Sequence, residues 1–246
     1  MNLPNAITVA RIATTPLIAA LPFSHSWQLR MLGFVLFVIA AVTDYYDGAL
    51  ARSRNLVTDL GKLLDPLADK ALLAATLLPM YFLTGGIGLV RPLPPAAFGL
   101  VWSSGVVGPV GPRGFAPSLH EWYPFVLPGV LVGLPLWVLC IVLGRELFMT
   151  VFRQLAARRG VVIAAIGPAK WKTGFQSVWV GSAFFWFFAA RAAAEHGWTS
   201  PLWRGFAYFN GVVGVVTMVP AVLLTLYSLW LYVRRYGHVF TGRTQP

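Results

Sequence analysis

Charge is what this sequence has least of. Charged residues make up 11% of its 246 positions, against about a quarter in soluble domains. An ordinary water-facing fold is thereby excluded. Cysteine is scarcer still: Cys140 is alone in an apolar run, so no intramolecular disulfide and no cysteine cluster for a metal can form. The four histidines, His25, His120, His196 and His238, are scattered among loops and the tail, and none is assigned chemistry. Acid is the rarer sign, with 8 Asp and Glu against 19 Lys and Arg, a net charge of +11. In a membrane chain that excess is directed at anionic headgroups and phosphate-bearing substrates rather than at nucleic acid. The start, "MNLPNAITVARIATTPLIAALPF", has neither the charged beginning nor the small-residue cleavage site of an export signal, and it reads as a first span.

Apolar residues are abundant. They fill 57% of the chain, and the mean hydropathy is +0.69. They form continuous runs near the roughly 20 residues that a helix needs to cross a bilayer, not the alternation of barrel strands. The expectation is an all-α integral membrane bundle of six transmembrane helices, at residues 4–22, 31–51, 63–84, 125–149, 175–191 and 206–233. Residues 1–246 read as one membrane-embedded domain with several spans. Residues 85–124 are crowded with Gly and Pro, which disfavours a continuous helix, and they read as an insertion on the outer face. Thirteen of the 19 Lys and Arg fall after the second and fourth spans, at the entries to the third and fifth, and in the tail. By the positive-inside rule both termini are then cytoplasmic, in a plasma or inner membrane.

Five of the eight acidic residues lie between Val42 and Lys70: Asp44, Asp47, Asp59, Asp65 and Asp69. Asp59 sits near the start of the third span, where a carboxylate favours the helix dipole. The other four form two pairs, three and four residues apart. Each pair shares a helix face with Cβ atoms about 5–6 Å apart. A short link lets the second and third spans run antiparallel, so that the pairs face each other. Four carboxylates at a membrane repel one another unless a cation joins them. An all-oxygen set suits Mg²⁺, Mn²⁺ or Ca²⁺ rather than zinc. Four carboxylates can hold two ions about 3.5–4 Å apart, an arrangement used for displacement at phosphorus. Gly48, Ala51 and Gly61 leave room for close helix approach or for a ligand. Arg52 is either a phosphate contact or a cytoplasmic anchor.

Together these residues read D-x2-D-G-x2-A-R-x8-G-x3-D-x3-D, from Asp44 to Asp69. The string resembles the signature of the CDP-alcohol phosphotransferases, with every motif position filled. The segments "NLPNAITVARI", "LGKLLDPLADK", "GREL" and "KWKT" resemble the bacterial phosphatidylglycerolphosphate synthase branch. This chain departs from that branch in the length of residues 85–124 and in Ala169, where the branch has Gly. The resemblance implies a six-helix membrane homodimer that transfers a phosphatidyl group from CDP-diacylglycerol to glycerol 3-phosphate and releases CMP.

Site roles follow from the same resemblance. Asp44, Asp47, Asp65 and Asp69 would bind two Mg²⁺ or Mn²⁺ ions, with Asp69 also the candidate general base. Gly48, Ala51 and Gly61 would shape the cytidine pocket, and Arg52 would contact phosphate. Asn5, Thr8 and Arg11 are spaced three apart on one face of the first span, and the resemblance directs them to the nucleotide phosphates. Arg145, Arg153, Lys170 and Lys172 gather at the ends of spans four and five. Arginine forks there suit the acceptor's phosphate, and Glu146 is placed to orient an arginine. The competing readings are the same chemistry with another acceptor (serine, inositol phosphate or phosphatidylglycerol) and a divalent-cation channel or transporter.

Overall fold

A computed structural model describes residues 3–53, 58–83, 90–92, 125–128, 130–161, 163, 167–198 and 200–237. Six long helices carry the fold: α1 (Leu3–Ala20), α2 (Trp27–Ser53), α3 (Asp59–Leu83), α4 (Leu136–Arg158), α5 (Gly167–His196) and α6 (Pro201–Tyr236). Five of them hold stretches long and apolar enough to cross a membrane. The exception, α4, carries Arg145, Glu146 and Arg153. Its 23 residues would still reach about 34 Å at 1.5 Å per residue. The 36 residues of α6 run to about 54 Å on the same scale, well beyond a hydrocarbon core of about 30 Å.

The helices bury one stripe and leave the other apolar. Ile18, Phe37, Leu77, Met80, Val138, Trp179 and Phe184 meet inside. Leu17, Ile39, Phe82, Phe209, Val216 and Leu223 face outward and stay exposed. In water that outer surface would be an aggregation patch; in a bilayer it is the solvent-facing side.

One expectation about arrangement is corrected. The fourth span was expected to begin at residue 125, but helix begins only at Leu136. Ahead of it lie β2 (Phe125–Leu127) and β3 (Val130–Val132), which with β1 (Val90–Pro92) form an antiparallel sheet in the order β1-β3-β2. Phe125 and Val126 are buried where β2 presses on α6. A Cβ on Gly211 would fall 2.0 Å from the Val126 carbonyl oxygen, and one on Gly214 would fall 2.0 Å from the Phe125 ring. Glycine is therefore required at both positions for this approach. Apart from β1, the stretch 85–124 lies outside the described residues. The aspartate pairs of α2 and α3 were expected to face each other, and Asp44 and Asp69 do meet across the two helices. What the expectation lacked is α1, which packs closely against both helices and brings its polar face to the two acidic segments.

At one end of the bundle, aromatic rings cluster around the α1–α2 and α5–α6 turns. Trp186 stacks on Trp203 at 5.5 Å, and His196 lies between Trp27 and Trp198. Buried Arg30 donates to the carbonyls of Ser24 (2.8 Å) and Phe187 (3.1 Å), and Arg191 donates to that of His25 (2.9 Å). The opposite end holds the start of α1, the end of α2 and the start of α3, together with the charged halves of α4, α5 and α6.

Candidate active site

Two charged centres occupy that opposite end. The first is built on α1. Asn5, Thr8 and Arg11 are all buried, as their shared face predicts. Thr8 Oγ1 donates to Asp65 Oδ1 at 3.0 Å. Arg11 pairs with Asp44, and the same Nη1 lies 3.8 Å from Asp69 Oδ1. One helix turn therefore gathers carboxylates from α2 and α3.

Asn5 fixes the start of α3. Its Nδ2 donates to Thr58 Oγ1 at 2.8 Å, and the Thr58 hydroxyl donates back to Asn5 Oδ1 at 3.1 Å. Thr58 Oγ1 also accepts from the Gly61 N–H at 3.0 Å, the capping bond of a residue just before a helix. A Cβ on Gly61 would sit 2.9 Å from Asn5 Oδ1. Gly61 thus admits the Asn5 side chain, a specific reason for glycine here. The sequence reading missed Thr58, although a threonine directly before a periodic apolar run is a recognisable N-cap signal.

The side chains of Asp47, Asp59 and Lys170, and the surroundings of Gly48, Ala51 and Arg52, lie outside what is described. Among the described residues no three of His, Cys, Asp and Glu form a group able to hold a metal. The expected four-carboxylate set reaches beyond the described side chains. Its donors fit a hard divalent cation in kind: all are carboxylate oxygens, and Asp44, Asp65 and Asp69 converge on one turn of α1.

The second centre joins α4, α5 and α6. Glu146 Oε1 accepts from Arg145 Nη1 at 2.8 Å and is paired with Lys172. It orients an arginine as expected and also ties α4 to α5. Arg145 and Lys172 are buried, and Arg153 is exposed. Arg145 Nη2 donates to Ser228 Oγ at 3.2 Å, and Arg153 Nη2 donates to the Tyr232 hydroxyl at 3.4 Å. Arg145 Nε is buried with no hydrogen-bond partner among the described residues. Ser228 and Tyr232 were not anticipated, since two polar residues in an apolar terminal helix give no sequence signal of a site.

Chemically, the first centre offers accessible carboxylate oxygens beside a fixed guanidinium, and the second offers clustered cations with one internal counter-ion. The family model described as CDP-alcohol phosphatidyltransferase matches residues 1–105 and 123–227. A Rickettsia bellii protein named CDP-diacylglycerol–glycerol-3-phosphate 3-phosphatidyltransferase is 51% identical over 77 residues, which are 31% of this chain and 42% of that protein. A Bacillus subtilis protein of the same name is 46% identical over 89 residues, covering 31% of this chain and 46% of its own length. The chain thus spans less than half the length of these relatives. A Mycobacterium tuberculosis protein named probable phosphatidylglycerophosphate synthase is 28% identical over 237 residues, or 95% of this chain and 81% of that protein. With the family match covering α1 to α5 and most of α6, and with Asp44, Asp65 and Asp69 drawn to one turn of α1, this chain belongs to the CDP-alcohol phosphatidyltransferase family.

Proposed function

We propose that this protein transfers the phosphatidyl group of CDP-diacylglycerol to sn-glycerol 3-phosphate, forming phosphatidylglycerol phosphate and CMP. The observation that carries the reading is the convergence of Asp44, Asp65 and Asp69 on Thr8 and Arg11, at the same end of the bundle as the Arg145–Glu146–Lys172 cluster. The names of the Rickettsia bellii and Bacillus subtilis relatives supply the two substrates.

In this reading the acceptor hydroxyl oxygen bonds to the β-phosphorus, and the bond from that phosphorus to the CMP oxygen breaks. CMP leaves with the electron pair, and Asp69 takes the hydroxyl proton. Arg11 and Arg52 hold the diphosphate, while Asn5, Gly48, Ala51 and Gly61 border the nucleotide. Asp44, Asp47, Asp65 and Asp69 would hold two Mg²⁺ or Mn²⁺ ions, which neutralise the diphosphate and the charge on the departing group. Arg145, Arg153, Lys170 and Lys172 receive the acceptor's phosphate, for which charge-assisted arginine bonds are suited. The excess of cations at the site end supports a cytoplasmic active site. The same family resemblance supports a homodimer, which light scattering of the detergent-solubilised protein tests.

The deciding experiment incubates purified protein with CDP-diacylglycerol, Mg²⁺ and each candidate acceptor, and measures CMP. Release with glycerol 3-phosphate is expected. Release only with serine, inositol phosphate or phosphatidylglycerol would move the assignment to another acceptor. Metal flux into liposomes without CMP formation would favour a channel.

A further inference from the structure

The basic centre extends onto the end of α6, beyond the stretch that the family model matches, which stops at residue 227. Ser228 and Tyr232 follow at once. Both are completely buried at 0% exposure, and four residues apart they share one face of the helix. That face meets Arg145 and Arg153 of α4, which are eight apart on a face of their own. Ser228 accepts from Arg145, and the Tyr232 hydroxyl accepts from Arg153. The Tyr232 ring lies 6.0 Å from the Arg145 guanidinium carbon and 5.6 Å from that of Arg153. One phenol therefore addresses two cations.

Bringing two guanidinium groups to one ring works against their mutual repulsion. An aliphatic side chain would fill the same space among Met149, Phe152 and Leu229 without gathering charge. The arrangement has a use if an anion completes it. Cations held in place before binding leave less ordering to be done when the ligand arrives. Glu146 secures Arg145 from the other side, so the less tethered, exposed Arg153 depends most on Tyr232.

We infer that Tyr232, assisted by Ser228, is the positioning residue of the acceptor's phosphate pocket, fixing Arg145 and Arg153 as a pair that recognises a phosphomonoester. This inference rests on the glycerol 3-phosphate reading above. It makes the end of the last helix part of the acceptor site.

The test uses the full chain in lipid–detergent micelles with CDP-diacylglycerol and Mg²⁺. In Tyr232→Leu the KM for glycerol 3-phosphate rises about tenfold, while that for CDP-diacylglycerol stays within about twofold. Tyr232→Phe keeps the ring, loses the hydroxyl, and raises the acceptor KM about threefold. Adding Tyr232→Leu to Arg153→Ala raises it less than the product of the two single changes, because the residues act as a unit. A structural role alone would move both KM values together, or lower the melting temperature with the acceptor KM unmoved, and either result overturns the inference. So does an unchanged acceptor KM in Tyr232→Leu or a fully multiplicative double variant. Should Tyr232→Leu fail to accumulate, Tyr232→Phe decides, and an unchanged acceptor KM there overturns it. Wild-type protein that ignores glycerol 3-phosphate removes the acceptor reading and this inference with it. Wild-type activity with an insensitive Tyr232 removes the inference alone.

Discussion

The two charged centres are built in opposite senses. Around α1 the buried member is a cation: the Arg11 side chain is 2% exposed, while its partners Asp44 and Asp69 are 46% and 61% exposed. Around α4 the cations Arg145 and Lys172 are buried, and the carboxylate between them, Glu146, is 23% exposed. In each centre a buried charge fixes its neighbours, and more accessible groups remain to meet a ligand. These are Asp44 and Asp69 in the first centre and Arg153 in the second. The first should therefore respond to substitution through cation and nucleotide binding, the second through the acceptor.

The largest test of that division is Asp65→Asn. It keeps the shape and removes the charge at a carboxylate that Thr8 holds from α1. We expect turnover to fall by about 10²–10³-fold or more, the scale of losing a transition-state electrostatic contact. Membrane insertion and elution volume should stay normal. Near-normal CMP release at ordinary Mg²⁺ would break the assignment of the first centre.

Arg153→Ala comes next. It should raise the glycerol 3-phosphate KM by about ten- to a hundredfold, the range for losing a charge-assisted hydrogen bond. Initial-rate kinetics over both substrates checks this, and equal effects on the two would erase the distinction between the centres.

Gly211→Ala is the control away from both. Its Cβ meets a backbone carbonyl, which cannot rotate aside, so a loss of about 1–3 kcal/mol in stability is expected, as for overpacking. A lower melting temperature with unchanged KM values is the expected pattern.

The smallest effect belongs to Gly61→Ala. The added methyl meets the end of the Asn5 side chain, which can shift by a few tenths of an ångström. The CDP-diacylglycerol KM should rise by about two- to fivefold while the acceptor KM holds, a cost within the range for a weakened hydrogen bond. A change confined to the acceptor would contradict the placement of Gly61 in the first centre.

The sequence alone determined the membrane class, the helical architecture and the shared face of Asn5, Thr8 and Arg11. Spacings of three and four place side chains on one helix face whatever the tertiary context, and Asn5, Thr8 and Arg11 are together as that rule requires. The approximate positions of the spans were legible too, because apolar runs of bilayer length have few alternative structures. Tertiary structure decided what those faces meet. Nothing in the spacing of the aspartates says that α1 packs against both α2 and α3, since helix periodicity carries no information about which helix is the neighbour. The strand at Phe125–Leu127 was hidden because a short apolar run beside a helix looks like more of the helix. Its seat depends on Gly211 and Gly214, more than 80 residues away. Ser228 and Tyr232 are polar residues within an apolar helix, and only the packing of α6 on α4 gives them the two arginines as partners.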